Sequence, residues 1–243
     1  PTQRKIAGIL SAYDDLIENN LRRIRILEEM AQSLYREWFV HFRFPGHEST
    51  PLVDSPLGPI PEDWEVKAFN DAAEFINGFA FKPKHLGKSG IPIIKIKELK
   101  NGIVADTPRY DGDEIKEKYH ITNGDLLFSW SAHLDAYIWN SGDGYLNQHL
   151  FNVVPETGLS RTFLYFALLD RMHEFRSRSQ GTTMRHIKRS ALSEVSFVLP
   201  SKNFRSHFED TAIPALQKIE NLVSRNRNLR QTRDLLLPKL LSP

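Results

Sequence analysis

The stretch TQRKIAGILSAYDDLIENNLRRIRILEEMAQSLYREWFVHF, Thr2 to Phe42, decides how the rest of the chain is read. Ile6, Leu10, Tyr13, Ile17, Asn20, Ile24, Leu27, Ala31, Leu34 and Trp38 follow one another at alternating steps of four and three, with neither Pro nor Gly after Gly8. That is a heptad seam, so the stretch is predicted to be one amphipathic helix. At about 1.5 Å per residue it is roughly 60 Å long and needs a partner helix along most of that length. Ile9, Leu16, Leu21, Met30, Tyr35 and Phe39 widen the apolar stripe beyond a bare seam, which implies that more than one surface is buried against it.

One partner lies in the same chain. At an offset of 202, Ile17-Glu18-Asn19 falls on Ile219-Glu220-Asn221, Leu27 on Leu229, Leu34 on Leu236 and Ile6 on Phe208. The two helical ends therefore read as copies of one element, with Ile219, Leu222, Asn226, Leu229 and Leu236 continuing the second seam. A polar Asn in each seam, Asn20 and Asn226, is a device for fixing register rather than for adding stability.

Between the copies the pattern changes. Phe44-Pro45-Gly46 ends the first helix, and Ser49 to Pro61 holds four Pro and a Gly, as a linker does. Ile91–Ile96, Asp125–Ser129, Ala136–Trp139, Phe151–Val154 and Val195–Leu199 are short, rich in β-branched or aromatic residues, and separated by turn dipeptides such as Asn101-Gly102 and Asn123-Gly124. Ser160 can cap a helix reaching to about Ser179, closed by Gly181, and Pro214 is expected to kink or interrupt the last helix. The predicted fold class is α+β: a mixed α/β domain flanked by two long antiparallel coiled-coil-like helices. The expected boundaries are helix 1–44, linker 45–60, domain 61–200 and helix 201–243.

The 243 residues are 40% hydrophobic, enough to bury a sizeable core. No run of eighteen apolar residues and no signal peptide stands out, so the expectation is a cytoplasmic chain that neither spans a membrane nor is secreted. With no Cys, disulfides and thiolate metal sites are excluded. Beginning at Pro1 rather than Met, the chain reads as a fragment or a trimmed form. The net charge of +2 conceals an uneven distribution: Phe81–Lys100 carries six Lys against one Glu, Arg171–Ser190 six Lys/Arg against one Glu, and Asn101–Ser160 nine acids against three bases. Two basic stretches flanking an acidic middle suit a positive surface offered to a polyanion.

At this point a resemblance enters. Gln3 to Asn20 (QRKIAGILSAYDDLIENN), followed by Leu34-Tyr35-Arg36-Glu37-Trp38-Phe39-Val40, resembles the central conserved region of type I restriction-modification specificity (S) subunits. Arg233 to Ser242 (RDLLLPKLLS) is similar to the distal conserved region of that family. Pro61-Glu62-Asp63-Trp64, Gly124 to Ser129, Leu146 to Phe151 and Gly181 to Ile187 are similar to segments of its target recognition domain. The resemblance implies a DNA-reading subunit without chemistry of its own, reading one half of a bipartite site in double-stranded DNA. It also implies methyltransferase (M) and restriction (R) subunits as partners, with S-adenosylmethionine, ATP and Mg²⁺ belonging to those subunits and no cofactor or metal held by this chain. One recognition domain instead of the family's two implies half an S subunit, either the C-terminal half of a longer chain or a half-size form expected to pair with itself as a homodimer or with another half.

Catalytic motifs are weaker. Glu62, Asp63 and Lys67, with Asp54 upstream, imitate a metal-dependent nuclease pattern, but the segment sits at a linker boundary. The Gly142-Asp143-Gly144 loop precedes a strand-like run rather than the helix N-terminus a cofactor loop needs. The nine His include no HExxH pair, and His149 reads as a hydrogen-bonded structural residue. No catalytic residue is assigned. The remaining alternatives are a coiled-coil scaffold whose middle domain binds protein, and a DNA-modifying enzyme.

Candidate phosphate contacts are Lys82, Lys84, Lys88, Arg176, Arg178, Lys188 and Arg189. Base reading needs polar or aromatic side chains displayed on loops, and Phe81, Ser129, Trp130, His133, Thr182, Thr183, Arg185 and His186 answer that description. Arg185 can grip guanine bidentately, and His133 or His186 can bond a base edge. For Trp130 and Phe81, completion of the core is the competing role.

Overall fold

The computed structural model describes residues 2–181 and 186–241; of the side chains in the first and last turns only part is described. In chain order the helices and strands are α1 (Thr2–Phe39), β1 (Leu52–Val53), β2 (Ile60–Pro61), β3 (Glu65–Ala68), α2 (Phe69–Ala72), β4 (Ala73–Asn77), β5 (Ile91–Ile94), α3 (Ile96–Asn101), β6 (Arg109–Tyr110), β7 (His120–Ile121), β8 (Leu126–Ser129), β9 (Asp135–Ile138), β10 (Gly144–Leu146), β11 (Leu150–Pro155), α4 (Arg161–Ser177), α5 (Ala191–Glu194), β12 (Ser196–Leu199) and α6 (Lys202–Leu241). They form two compact units: Pro1–Glu37 with Ser206–Pro243, and Trp38–Arg205.

The first unit is an antiparallel helix pair. Asp14 meets Arg233, Asn20 meets Asn226, and the Tyr35 ring lies edge-on to Phe208 at 5.8 Å, so numbers rise on α1 as they fall on α6. The seam is the buried face: Ile17, Ile24, Ala31, Phe208, Ala212, Leu222 and Asn226 are buried, and Ile6, Leu10, Tyr13, Leu27, Leu34, Ile219, Leu229 and Leu236 are half-buried. Tyr35 joins that core at 2% exposure, whereas Ile9, Leu16, Leu21 and Met30 stand between 45% and 63% exposed. Ile26, Leu27, Met30, Ala31, Leu34, Thr211 and Ala215 line a shallow apolar groove of about 550 Å³ on this unit.

Two of the helix expectations are corrected. α1 stops at Phe39, three residues before Phe42, because Phe42 takes a left-handed φ of 56° that no helix accommodates. The turn delivers Phe44 into an aromatic cluster of the second unit, 4.8 Å from Trp64 and 4.6 Å from Phe204, with Phe39 against Trp64 and Phe163. α6 runs through Pro214 without the interruption that was one of the two outcomes expected there. Pro214 is exposed, so the carbonyl it leaves unpaired one turn back can be met by solvent.

The second unit is built on two four-stranded sheets. One, in the order β4-β11-β8-β9, is antiparallel throughout; the other, β6-β5-β10-β7, is mixed, with β10 parallel to β5. β12–β3 and β1–β2 are separate antiparallel pairs, so the segment expected to be linker carries a strand of its own. Ile94, Leu99, Ile121, Leu127, Trp139, Leu146 and Leu150 form one core. α4 buries Phe163, Leu164, Phe166, Ala167, Leu168, Met172 and Phe175, and Ser160 Oγ caps it by accepting the Phe163 N–H at 3.0 Å. α4 ends at Ser177, and the strand expected at Ile91–Ile96 ends at Ile94. There the buried Glu98 carboxylate accepts the Lys95 N–H at 3.1 Å and starts α3.

Candidate functional site

The antiparallel register of the first sheet brings four strand ends to one rim. Asn77 at the end of β4 lies opposite Phe151, Leu150 opposite Ser129, and Ser129 opposite Asp135. The turns leaving those ends therefore share an edge: Phe79–Phe81 after β4, Trp130–Leu134 after β8, and Asn147–His149 before β11. His186 joins them, bridged to Ser131 and to Gln180, while the Ile187 N–H donates to the Trp130 carbonyl at 3.0 Å.

Trp130 is the hub. Its indole N–H donates to Asn77 Oδ1 at 3.2 Å and to the Gln148 carbonyl at 3.1 Å. Its ring lies 5.7 Å from His149 and 6.5 Å from His186. Ser131, itself buried, bonds His149 Nδ1 at 3.1 Å. A half-buried indole whose donor is bonded to neighbouring turns fixes them against one another, so Trp130 takes part in both the core and the rim.

Among the described base-reading candidates, His133 and His186 are exposed. Ala132 before His133 adopts φ 56°, uncommon for a residue with a Cβ, and the His133 N–H closes a tight turn on the Ser131 carbonyl at 2.7 Å. The side chain, 46% exposed, has Nε2 3.5 Å from Asp135 Oδ2. The same carboxylate accepts the Tyr137 hydroxyl at 3.2 Å, and burial, reinforced by the Asp135 charge, pushes the Tyr137 phenol well above its ordinary value. Asp135 therefore organises the two side chains that flank it in the hairpin.

Other expected residues are placed differently. Ser129 is fully buried and donates its hydroxyl to the Ser131 carbonyl, which withdraws it from the surface: in β8 it sits where the strand faces the core. Arg176 donates to the Leu134 carbonyl at 3.1 Å and so braces the loop that carries His133. Arg189 donates to the Phe75 carbonyl at 3.0 Å and lies over the Phe151 ring. It caps the outer edge of β4 beside a cleft of about 540 Å³ that also involves Glu74, Glu156 and Ser190. Arg178 pairs with Glu174 and Glu194. Lys188 is exposed next to the rim.

Lys82, Lys84 and Lys88 are exposed on the segment after Phe81, and that segment adjoins the rim through Phe79, whose carbonyl accepts the Gln148 N–H at 3.0 Å. Phe81 is half-buried in a satellite aromatic core with Phe79, Tyr110, Tyr119 and Tyr145. Thr182, Thr183 and Arg185 lie outside the described residues.

Three rim residues were absent from the sequence-based set: Asn77, Gln148 and His149. The polar triplet Asn147-Gln148-His149 between two apolar runs was the available signal, because such a triplet at a strand boundary marks a turn, although here Asn147 is buried and the other two half-buried. Among the described residues no group of three or more His, Asp or Glu could hold a metal ion, and none of the helices described is long and apolar enough to cross a membrane.

Residues 61–205 match the type I restriction modification DNA specificity domain. The chain is 26% identical to the type I restriction enzyme MjaIX specificity subunit of Methanocaldococcus jannaschii over 98% of this chain and 57% of that protein. It is 24% identical to the HindI specificity subunit of Haemophilus influenzae, over 99% and 66% respectively. The chain thus spans little more than half the length of the first of these relatives. Its fold is like that of the solved S subunit of a type I restriction-modification system from M. genitalium, at TM-score 0.63 and 15% identity, covering 100% of this chain and 61% of that one. The HsdS subunit from Thermoanaerobacter tengcongensis superposes at TM-score 0.51 with 16% identity, covering 98% and 56%.

Proposed function

The chain belongs to the type I restriction-modification DNA specificity family, and from that membership we propose that it is a sequence-specificity unit reading one half of a bipartite DNA site. The observation that carries the reading is the family match across the unit that bears the rim, residues 61–205. Several displayed polar edges gathered on one rim, beside three exposed lysines, are what base reading next to a charged backbone requires.

Adenine methylation and DNA cleavage then fall to methyltransferase and restriction subunits, which would hold S-adenosylmethionine, ATP and Mg²⁺. The chain itself contributes recognition and works in the cytoplasm, where the DNA is. Its apolar groove and the exposed Ile9, Leu16, Leu21, Ile26 and Met30 support docking of those methyltransferase subunits or pairing with a second half. Sedimentation of the chain alone at tens of micromolar separates the two, since self-pairing gives a dimer and docking alone leaves a monomer.

The deciding experiment is methylated-adenine sequencing in cells carrying this chain with its methyltransferase subunits. A single recurrent motif is the expected result, and methylation without a motif would sink the reading. In vitro, duplex affinity should fall steeply with salt. Arg185→Ala should relax discrimination at one base pair by about 1–3 kcal/mol, whereas Lys84→Ala should weaken all sequences alike.

A further inference from the structure

His85 is held in one tautomer. Its Nδ1 accepts the Lys82 backbone N–H at 3.0 Å, while its own backbone N–H donates to the Lys82 carbonyl at 2.9 Å. Nδ1 therefore offers a lone pair, and Nε2 carries the hydrogen. The residue is only 6% exposed, enclosed by the rings of Phe79 at 5.6 Å and Tyr110 at 5.7 Å. The Nε2–H is buried and has no hydrogen-bond partner.

What it faces is a carboxylate held too far away. Glu114 Oε2 lies 3.7 Å from His85 Nε2 and 3.7 Å from Lys84 Nζ, beyond hydrogen-bond length in both cases. Both exposed partners are loosely placed, the Glu114 side chain at 61% exposure and Lys84 at 65%. A fixed buried donor and an ammonium thus converge on one point, and the anionic oxygen at that point belongs to the group most easily displaced. Phosphate oxygens take such convergent donors well. The place also suits a nucleic-acid backbone, because Phe79, which packs on His85, is bonded through its carbonyl to Gln148 of the rim.

We propose that His85 Nε2–H and Lys84 form a contact site for one DNA backbone phosphate, which the Glu114 carboxylate occupies in the free chain and vacates when DNA binds. The inference rests on the DNA-reading function proposed above. It makes Glu114 an internal competitor, so that removing it strengthens binding to any duplex irrespective of sequence.

The test uses the full chain and a scrambled duplex over a range of salt. Glu114→Gln should raise affinity severalfold. The log–log salt slope should stay the same, because Lys84 neutralises the same phosphate, and the duplex releases the same counterion, whether or not Glu114 must first be displaced. Asp113→Asn removes a neighbouring exposed charge, whereas the ion pairs of Lys84 and His85 are with Glu114, and should give a distinctly smaller gain. On a His85→Asn background, where the amide oxygen can still accept the Lys82 N–H, the gain from Glu114→Gln should shrink to the part that Lys84 carries. Equal gains for Glu114→Gln and Asp113→Asn would overturn the site, as would a Glu114→Gln gain undiminished by His85→Asn. Titrating the chain with inorganic phosphate while following the His85 Nε2–H resonance keeps the two layers of argument apart. A shift without duplex binding removes the DNA-reading function and leaves an anion site; no shift removes the site.

Discussion

Asn20 Nδ2 donates to Asn226 Oδ1 at 2.8 Å, joining two residues 206 positions apart. Asn226 is 1% exposed, and its own Nδ2 turns back to the Ile17 carbonyl at 3.4 Å. Two apolar seams of the same period can slide by a heptad with little penalty, but a buried amide left without its partner cannot follow.

Replacing Asn226 by Ala should therefore destabilise the helix pair by about 1–3 kcal/mol, read as a lowered urea midpoint. Replacing both Asn20 and Asn226 by Leu should restore or raise the midpoint while loosening register. The absence of native Cys allows a clean readout. Asp14→Cys paired with Arg233→Cys should be joined in the parent by a short bifunctional thiol reagent, since the Arg233 side chain spans the gap to Asp14. Leu21→Cys paired with Arg233→Cys, one heptad away, should cross-link only when both Asn are Leu. Cross-linking restricted to the first pair in every background would assign register to other residues.

Gly78 stands where no side chain fits. A Cβ there would lie 2.2 Å from the Asn147 carbonyl oxygen, and the Gly78 N–H already donates to Leu150 at 3.0 Å. Gly78→Ala must push Asn147, and with it Gln148 and His149, off the rim. We expect a loss of about 1–3 kcal/mol in stability, the usual range for forced overpacking, together with blurred sequence discrimination. Unchanged thermal unfolding and an unchanged motif would show that the turn yields freely.

How much of this was legible in the sequence follows from which forces act locally. The Ile6–Trp38 seam announced its buried face because a heptad period is set by the helix itself; that its Asn20 meets Asn226 depends on the antiparallel register, which the structure supplies. Ser160 was readable as a cap for the same local reason. Strand ends were not. The short apolar run Leu126–Phe128 indicates a strand, but only its pairing with β11 and β9 decides that Ser129 is inside and Trp130 at the rim. Two-residue strands such as β6 and β7 exist through partners distant in sequence, and α3 begins where Glu98 finds the Lys95 N–H. His149 reads from sequence as structural because it lacks an HExxH partner; that its Nδ1 bonds Ser131 at the rim is visible only in three dimensions.

Tyr137 supplies a pH test. Burial and the Asp135 carboxylate raise its phenol above the ordinary value near 10. A raised acid in the folded state contributes stability that is fully present below the unfolded value and is lost as pH climbs toward the folded one. Stability should thus decline above about pH 10 with a component that Tyr137→Phe lacks. Unfolding midpoints of the two proteins measured across that range should converge as pH rises. Parallel curves would assign the alkaline loss to other groups.

The helix pair should also set the distance between half-sites wherever two recognition units are combined through it. Asn20 lies opposite Asn226, so seven residues inserted after Asn20 and seven inserted before Asn226 enlarge both helices at one level and leave the hydrogen-bonded pair together. Insertion after Asn226 would instead separate the two amides. One heptad keeps the seam in phase and lengthens the pair by roughly 10 Å. Duplex DNA rises about 3.4 Å per base pair, so the unspecified spacer should grow by about three pairs. The bases read on either side should stay the same, because the rim around Trp130, His133 and His149 is untouched. Supercoiling of the added turns can move the optimum by about one pair either way. Methylated-adenine sequencing of the insertion variant with its methyltransferase subunits measures spacer and half-sites together. Active methylation at the original spacing would show that the helices serve pairing and docking without measuring the site, whereas a lengthened spacer flanked by the original half-sites makes them its ruler.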